Sequence, residues 1–244
     1  MILTIVMTHG DALETTLRHE PLWKKFCDEL VYTGPTEDIL RIQAAIEPYH
    51  PMGLAEHHGE TAFRRLWSTL RWASALHGGW DMLQLHEYDS IAFGPAPALL
   101  PGEMAAIAYK QNKPEKFKGP SYLHYPHFYT PEALDRIVTA LWKVPTPDKW
   151  YSDRAIGFAA QIGNVPVKNL RGKAFSKNTI ASKHLDAALS ARRSGATYFH
   201  GVKDAPTFEA LNAAEASPTH ALLPAALGGV PVDRSGADPD SRTP

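Results

Sequence analysis

The segment 78-GGWDMLQLHEYDSIAFGP-95 places two carboxylates, Glu87 and Asp89, directly after an apolar run that is typical of an internal strand. Desolvating an ionised carboxylate costs several kcal/mol unless a positive charge or hydrogen bonds compensate it. On a strand, residues two apart point to the same face, so the two side chains are predicted to converge at the strand's carboxyl end. A positively charged partner is therefore expected beside them.

This strand belongs to a series in which short apolar runs alternate with segments of helical spacing. Strands are predicted over residues 2–7, 30–35, 81–86 and 196–200. The alternation is typical of an α/β fold with a mostly parallel central sheet flanked by helices. We expect the first, third and last of these strands in one sheet with their carboxyl ends on the same side, which is where such sheets bind ligands.

The composition is that of a globular protein: 244 residues, 44% hydrophobic and 21% charged, with a net charge of -1. No basic surface for nucleic acid is expected from this balance. The single cysteine, Cys27, excludes an internal disulfide framework. Without a recognisable signal peptide or an apolar segment of about 20 residues, we expect a cytoplasmic protein with no integral membrane segment. One domain is predicted over residues 1–215, followed by a mobile Pro, Gly and Ala-rich tail over 216–244.

A second segment, 196-ATYFHGVKD-204, combines an apolar run with a histidine, a glycine and a lysine. Neutral imidazole is a ligand for ions such as Mn²⁺, and a lysine supplies the point charge that a diphosphate needs. Taken alone, His200 is explained as a buried strand-end histidine and Lys203 as a solvated lysine, and the two acids as exposed turn residues. Taken together, Glu87, Asp89, His200 and Lys203 predict a site for a metal ion and a diphosphate.

With a first strand ending in THG at residues 8–10, a central acid-x-acid motif and a late HGVK segment, the sequence resembles nucleotide-diphospho-sugar glycosyltransferases of the GT-A fold. The resemblance implies a divalent ion, Mn²⁺ or Mg²⁺, with Asp89 as its direct ligand. It implies that Glu87 faces the ribose, or the ion through water, and that His200 and Lys203 complete the metal and diphosphate site. Glu87 stands where the commonest motif has Asp, which bears on the need for metal.

The resemblance also implies positions for the two substrates, a nucleotide-diphospho-sugar donor and a glycan or other hydroxyl acceptor. Thr8, His9 and Gly10 resemble the loop that lies against the base and ribose; an ordinary strand-ending turn is the alternative. In 151-YSDRAIGF-158, Asp153 resembles the acid at a helix N-terminus that faces the acceptor, as general base or anchor. A simple helix N-cap would also explain Asp153.

Two further histidine-rich segments have ordinary explanations. The segment 119-GPSYLHYPHFYTP-131 could line an acceptor pocket through its rings and through His124 and His127, and a packed loop is the alternative. His57 and His58 are neighbours that point apart on a regular element and lack a third ligand at metalloprotease spacing. We therefore expect no zinc site there.

The resemblance spans residues 2 to about 210 in the order of its elements, and it predicts a hexosyltransferase-like enzyme. Two other functions are compatible with the same residues. One is a metallohydrolase that uses Glu87, Asp89 and His200, with His57, to activate water. The other is a binding module for nucleotides or glycans that catalyses no reaction. The release of a nucleoside diphosphate from a donor distinguishes transfer from both.

Overall fold

A computed structural model of the protein describes residues 1–8, 12–34, 50–51, 62–76, 79–109, 122–144, 152–174 and 182–214. Some predictions concern residues outside these ranges. They are those for His9, Gly10, His57, His58 and the tail over 216–244.

Within the described ranges the chain forms strands and helices in alternation. The strands are β1 (Ile2–Met7), β2 (Glu29–Thr33), β3 (His50–Pro51), β4 (Met82–Glu87), β5 (Ser90–Ala92), β6 (Met104–Tyr109), β7 (Tyr122–Tyr129), β8 (Val167–Asn169), β9 (Gly172–Ala174) and β10 (Tyr198–His200). The helices are α1 (Leu13–Lys24), α2 (Ala62–Ala75), α3 (Pro131–Leu141), α4 (Ser152–Ile162), α5 (Ser182–Arg193) and α6 (Ala205–Ala213).

Seven strands form the main sheet in the order β3-β2-β1-β4-β7-β6-β8. Four of its six strand pairs are parallel, and β7 is the strand that runs antiparallel to both of its neighbours. The predicted α/β class with a mostly parallel sheet is therefore confirmed. None of the helices in the described ranges is long and apolar enough to cross a membrane.

The centre of the sheet is the parallel pair β1 and β4. Ile2 lies opposite Met82, and Met7 lies opposite Glu87, so the two strands end at the same edge. Four consecutive residues of each strand are buried, as expected for strands that are covered on both faces. The backbone N–H of Tyr88 donates to the carbonyl of Met7 at 2.9 Å, which extends the pairing by one residue into the acidic motif. The carboxyl edge of the central strands thus carries Glu87.

The main core lies between this sheet and helices α2, α3 and α4. Helix α2 has apolar residues at helical spacing and buries Leu66 and Leu70 there. Helix α3 begins at Pro131, where the Thr130 side chain accepts from the backbone N–H of Ala133 and proline occupies the first helical position. These contacts fix the helices against the sheet and leave its carboxyl edge for the site.

The prediction that the last strand lies in the main sheet is wrong. Strand β10 belongs to a second sheet of three strands in the order β5-β10-β9, antiparallel to β5 and parallel to β9. The chain turns after Glu87, so that Ser90 pairs with His200 across this small sheet. The acidic motif is therefore the connection between the two sheets, and β10 reaches it through β5.

The histidine-rich segment before α3 is a strand rather than a loop. Strand β7 lies between β4 and β6, and most of its residues are buried, including Tyr125 and Phe128. Aromatic residues favour strands, whereas Pro126 favours an edge or a loop. The aromatic residues are compatible with the strand, although no strand was predicted here from the sequence.

Gly172 of β9 lies where the small sheet meets the main one. A Cβ there would come within 2.7 Å of the Ile107 side chain and of the Tyr198 carbonyl oxygen. We expect Gly172→Ala to lower the free energy of unfolding by about 1 to 3 kcal/mol through overpacking, measured by urea denaturation. Gly79→Ala is the control, because its Cβ would meet one backbone oxygen at 3.4 Å. Equal stability of the two variants would contradict the close approach.

Candidate functional site

The sequence predicted that the two acids lie on one strand. The structure instead places one at the end of a strand and the other in the turn that follows. Glu87 is the last residue of β4, whereas Asp89 lies in the two-residue turn that leads into β5. The turn forms because β5 leaves the main sheet to pair with β10. Both side chains still reach one partner, since His200 lies within hydrogen-bond or ion-pair distance of each. The predicted convergence is therefore produced by a turn rather than by strand periodicity.

Buried polar side chains form hydrogen bonds that fix the backbone of the turn. His19 of α1 lies with its Nδ1 3.0 Å from the Tyr88 carbonyl, and the indole N–H of Trp23 donates to the Ser90 carbonyl at 3.0 Å. His86 Nδ1 lies 2.7 Å from the Ser90 hydroxyl, which donates to the Glu87 carbonyl. Burial lowers the pKa of His19 to about 4 and that of His86 to about 3, so both rings are neutral. These contacts fix the backbone that carries the acids.

The loop after β10 is joined directly to the acidic turn. The backbone N–H groups of Gly201 and Val202 both donate to the Asp89 carbonyl, at 3.1 and 2.9 Å. Gly201 has a φ of 93°, a left-handed conformation that glycine adopts without a Cβ penalty. On the other side, the Lys203 carbonyl accepts from the Thr15 hydroxyl at 3.0 Å and from Arg18 at 3.2 Å. The loop is thus fixed between the turn and α1.

Four charged side chains meet at this junction. His200 Nε2 lies 2.9 Å from a Glu87 oxygen and 3.4 Å from an Asp89 oxygen, and Lys203 Nζ lies 3.6 Å from the other Asp89 oxygen. Asp89 is the most deeply buried of the four, at 4% exposed. The positive charge that was expected beside the acids is therefore supplied by His200 and Lys203.

The charges of this cluster support one another. Burial opposes ionisation of Asp89, but His200 and Lys203 outweigh it and hold the pKa of Asp89 below its ordinary value. Burial likewise opposes protonation of His200, and the carboxylates of Asp89 and Glu87 outweigh it and raise its pKa to about 10. The imidazole is therefore a cation at neutral pH in this arrangement, and its Nε2–H donates to Glu87.

The same three side chains fit a divalent metal ion. One ligand atom from each of Glu87, Asp89 and His200 lies within 4.8 Å of the others. Asp89 Oδ1 is buried, and its contact among the described residues is the 3.4 Å ion pair with His200 Nε2. Two carboxylates and an imidazole suit Mn²⁺. Since imidazole binds metals in its neutral form, an ion here would take the place of the His200 proton.

Asp153, predicted as the acid that faces the acceptor, is the second residue of α4 and is mostly buried. One of its oxygens accepts from the backbone N–H of Arg154 at 2.8 Å, and the other lies 3.1 Å from His124 Nδ1. The His124 ring lies 5.6 Å from the His200 ring, centre to centre. His124 therefore lies between Asp153 and His200, in keeping with the prediction that it could line an acceptor pocket.

Burial raises the pKa of Asp153 to about 6, from an ordinary value of 3.8. The folded protein therefore holds this proton more tightly than the unfolded chain, and its stability falls as the pH rises from about 4 to about 6. We expect Asp153→Asn to exceed the parent by about 1 to 3 kcal/mol in unfolding free energy at pH 7, and to equal it near pH 4. Urea unfolding at both pH values measures this, with the exposed Asp186→Asn as control. A less stable Asp153→Asn protein at pH 7 would contradict the assignment.

His127 faces the interior. Its Nε2–H donates to the Leu123 carbonyl at 2.7 Å, and the Tyr129 hydroxyl donates to its Nδ1 at 2.9 Å. Burial lowers the pKa of His127 to about 3, so the ring is neutral. Of the two histidines in this segment, His127 packs in the core and His124 lies at the site. Tyr122 stacks beside His124 with ring centres 6.1 Å apart.

Thr8 follows β1 at the same edge of the sheet. Its backbone N–H donates to the Thr33 carbonyl at 2.8 Å, and its hydroxyl lies 2.9 Å from that of Thr16. Thr8 is buried, and its hydroxyl faces Thr16 in the interior. A Cβ on Gly34 would lie 2.6 Å from the Thr8 carbonyl oxygen, which shows how closely the two strand ends approach.

No family model matches the sequence, and no curated protein matches it. Solved structures do share its fold. The galactosyltransferase LgtC in complex with donor and acceptor sugar analogues aligns with a TM-score of 0.51 at 10% identity, over 87% of this chain and 95% of that one. The apo form of the bifunctional glycosyltransferase WbbM aligns with a TM-score of 0.52 at 8% identity, over 87% of this chain and 50% of that one.

An active-site variant of LgtC aligns in the same way, with a TM-score of 0.51 at 11% identity over 84% of this chain and 88% of that one. At such low identity these likenesses concern the fold. The order of strands, the flanking helices and the structural neighbours agree with the architecture that the sequence predicted. The protein therefore has the GT-A fold, which these solved structures share.

Proposed function

We propose that the protein is a glycosyltransferase that moves a sugar from a nucleotide-diphospho-sugar to a hydroxyl acceptor with the help of Mn²⁺ or Mg²⁺. The observation that carries the proposal is the cluster of Glu87, Asp89 and His200 at the carboxyl edge of β4, with Lys203 beside it. In open α/β sheets this edge binds ligands. The GT-A fold of the chain agrees with that placement.

In this proposal Asp89 and His200 are direct metal ligands, and Glu87 is a ligand or faces the ribose. A bound divalent ion would neutralise the oxygens of the diphosphate as they gain charge. Lys203 supplies a second positive charge for the same oxygens, from the side of Tyr88. His19, Trp23 and His86 are assigned no chemistry; they hold the backbone of the acidic turn in place.

The acceptor is assigned to the side of the cluster where Asp153 and His124 lie. With the pKa of its carboxyl raised to about 6 by burial, Asp153 is mostly ionised at neutral pH and is a base of useful strength. It acts as acceptor anchor or general base. Thr8, His9 and Gly10 are assigned to the nucleotide because they follow β1 in the chain, and β1 ends beside β4. LgtC, which shares the fold, binds donor and acceptor sugar analogues.

A thermal-shift screen with UDP-, GDP- and CDP-sugars, each with and without Mn²⁺, tests the proposal. A ligand that binds only the folded state raises the melting temperature by mass action. We expect one nucleotide family to stabilise the protein when Mn²⁺ is present, and to do so much less without it. Release of the matching nucleoside diphosphate in the presence of acceptor sugars would then establish transfer.

Two other outcomes would replace the proposal. Stabilisation by Mn²⁺ alone, with no effect of any nucleotide-sugar, would favour the metallohydrolase that uses the same three ligands. Stabilisation by a nucleotide-sugar without release of a nucleoside diphosphate, with every acceptor supplied, would favour a binding module.

A further inference from the structure

Each oxygen of the Asp89 carboxylate faces a cation from the chain itself. His200 Nε2 lies 3.4 Å from Oδ1, and Lys203 Nζ lies 3.6 Å from Oδ2. Because Asp89 is 4% exposed, water cannot compensate its charge, and these two groups must do so. Lys203 thus lies against the carboxylate that is proposed to bind the metal ion directly.

We propose that Lys203 is an internal counter-ion of Asp89 that a divalent ion displaces, and that the displaced ammonium then binds the diphosphate. The inference rests on the proposed function, since it assumes the metal and diphosphate site. It adds an exchange: the lysine stabilises the acidic turn while the site holds no ion, and it becomes available to the second ligand when the first has bound.

The geometry allows the ammonium to move while the backbone stays fixed. The Lys203 carbonyl is held by Thr15 and Arg18, and the preceding amides of Gly201 and Val202 are held by the Asp89 carbonyl. The side chain, by contrast, is 34% exposed and carries its ammonium on a flexible four-carbon stem. The exchange therefore requires only rotation about side-chain bonds.

The ammonium that pairs with Asp89 also contacts an aromatic ring in the same position. Lys203 Nζ lies 5.5 Å from the centre of the Tyr88 ring, within the range of a cation–π contact. Tyr88 separates the two acids in the sequence, and its ring lies beside the ammonium that pairs with Asp89. The aromatic face keeps the Lys203 ammonium beside the site after Asp89 has bound the metal ion.

The exchange has a thermodynamic consequence that is specific to it. An ammonium against Asp89 competes with a metal ion for the same carboxylate and repels its charge, so Lys203 weakens metal binding. The same ammonium attracts a diphosphate, so Lys203 strengthens diphosphate binding. Removal of one charge should therefore change the two affinities in opposite directions, whereas a purely structural role would weaken both. By linkage, metal and diphosphate bind with positive coupling that passes through this lysine.

Mn²⁺ binding to the full chain, followed by the electron paramagnetic resonance signal of the free ion, tests the first half. We expect Lys203→Met to bind Mn²⁺ about 3- to 10-fold more tightly than the parent, since a partly exposed ion pair and the repulsion between two cations are both removed. Lys203→Arg keeps the charge and should bind Mn²⁺ like the parent. Lys143→Met removes an exposed charge at the end of α3 and is the matched control.

Pyrophosphate, added as its Mn²⁺ complex to the Mn²⁺-saturated protein, tests the second half by calorimetry. We expect Lys203→Met to bind it about 10-fold or more weakly, the loss of one charge-assisted contact. Lys203→Gln serves as a second variant without charge if the methionine variant unfolds.

The outcomes separate this inference from the function on which it rests. Unchanged or weaker Mn²⁺ binding in both uncharged variants would overturn the counter-ion role, while Mn²⁺-dependent binding of a nucleotide-sugar by the parent would leave the proposed function standing. A parent protein that binds no Mn²⁺ would overturn both.

Discussion

Replacement of Asp89 by Asn is expected to abolish Mn²⁺ binding and, with it, the stabilisation by nucleotide-sugars that depends on the metal. The substitution removes the charge and one oxygen donor and keeps the volume of the side chain. Outer-shell changes already cost metal sites 10- to 100-fold in affinity, so loss of a direct ligand should cost more than about 100-fold. Mn²⁺ titration of the free-ion resonance signal measures the effect.

The backbone around Asp89 should survive this change, because Gly201 and Val202 donate to its carbonyl rather than to its carboxylate. Circular dichroism and the unfolding midpoint check that the variant is folded. Asp186→Asn, an exposed acid on α5, is the matched control and should bind Mn²⁺ like the parent. His200→Ala should weaken binding less completely, since two carboxylates remain. If both site variants bind Mn²⁺ like the parent, the acids belong to a structural turn and are not metal ligands.

Substitution of Lys203 by Met is expected to reduce turnover far more than it reduces donor affinity. The diphosphate gains negative charge as the glycosidic bond breaks, so a fixed ammonium interacts more strongly with the transition state than with the bound donor. By analogy with removal of one preorganised oxyanion donor, the barrier should rise by about 2 to 4 kcal/mol, or roughly 30- to 900-fold in kcat. Steady-state release of nucleoside diphosphate from the donor identified by thermal shift measures it.

The arginine variant distinguishes charge from shape at this position. Lys203→Arg keeps a cation on a long stem and should recover part of the lost turnover, whereas Lys143→Met should leave turnover at the parent level. If Lys203→Met has the turnover of the parent, Lys203 is a solvated lysine with no role in catalysis.

The sheet was predictable where the sequence signal is local. Four consecutive buried residues in β1 and in β4 make continuous apolar runs, and the spacing of Leu66 and Leu70 makes an amphipathic helix. The partner of β10 was not predictable, because no local pattern says which three-residue strand it pairs with. Strand β7 was hidden by Pro126, whose usual place at sheet edges outweighed the aromatic residues around it.

The site was predictable to the extent that its residues stand at strand ends. Glu87, Asp89, His200 and Lys203 were selected from the sequence because they follow apolar runs, and the fold brings them together. The residues behind them were not predictable. His19 reaches the Tyr88 carbonyl across 69 positions of sequence, and a contact of that kind depends on how α1 lies on the sheet rather than on any spacing within the chain.

The ion pair between Glu87 and His200 joins residues 113 positions apart. On a ribosome, the first of these residues emerges several seconds before the second, at about 5 to 20 residues per second. During that interval the acids have neither His200 nor Lys203 beside them, and the nascent chain carries an uncompensated negative cluster that resists desolvation. The acidic turn can therefore become buried only after the carboxyl-terminal third of the described chain has been synthesised, which makes closure of the site a late step in cotranslational folding.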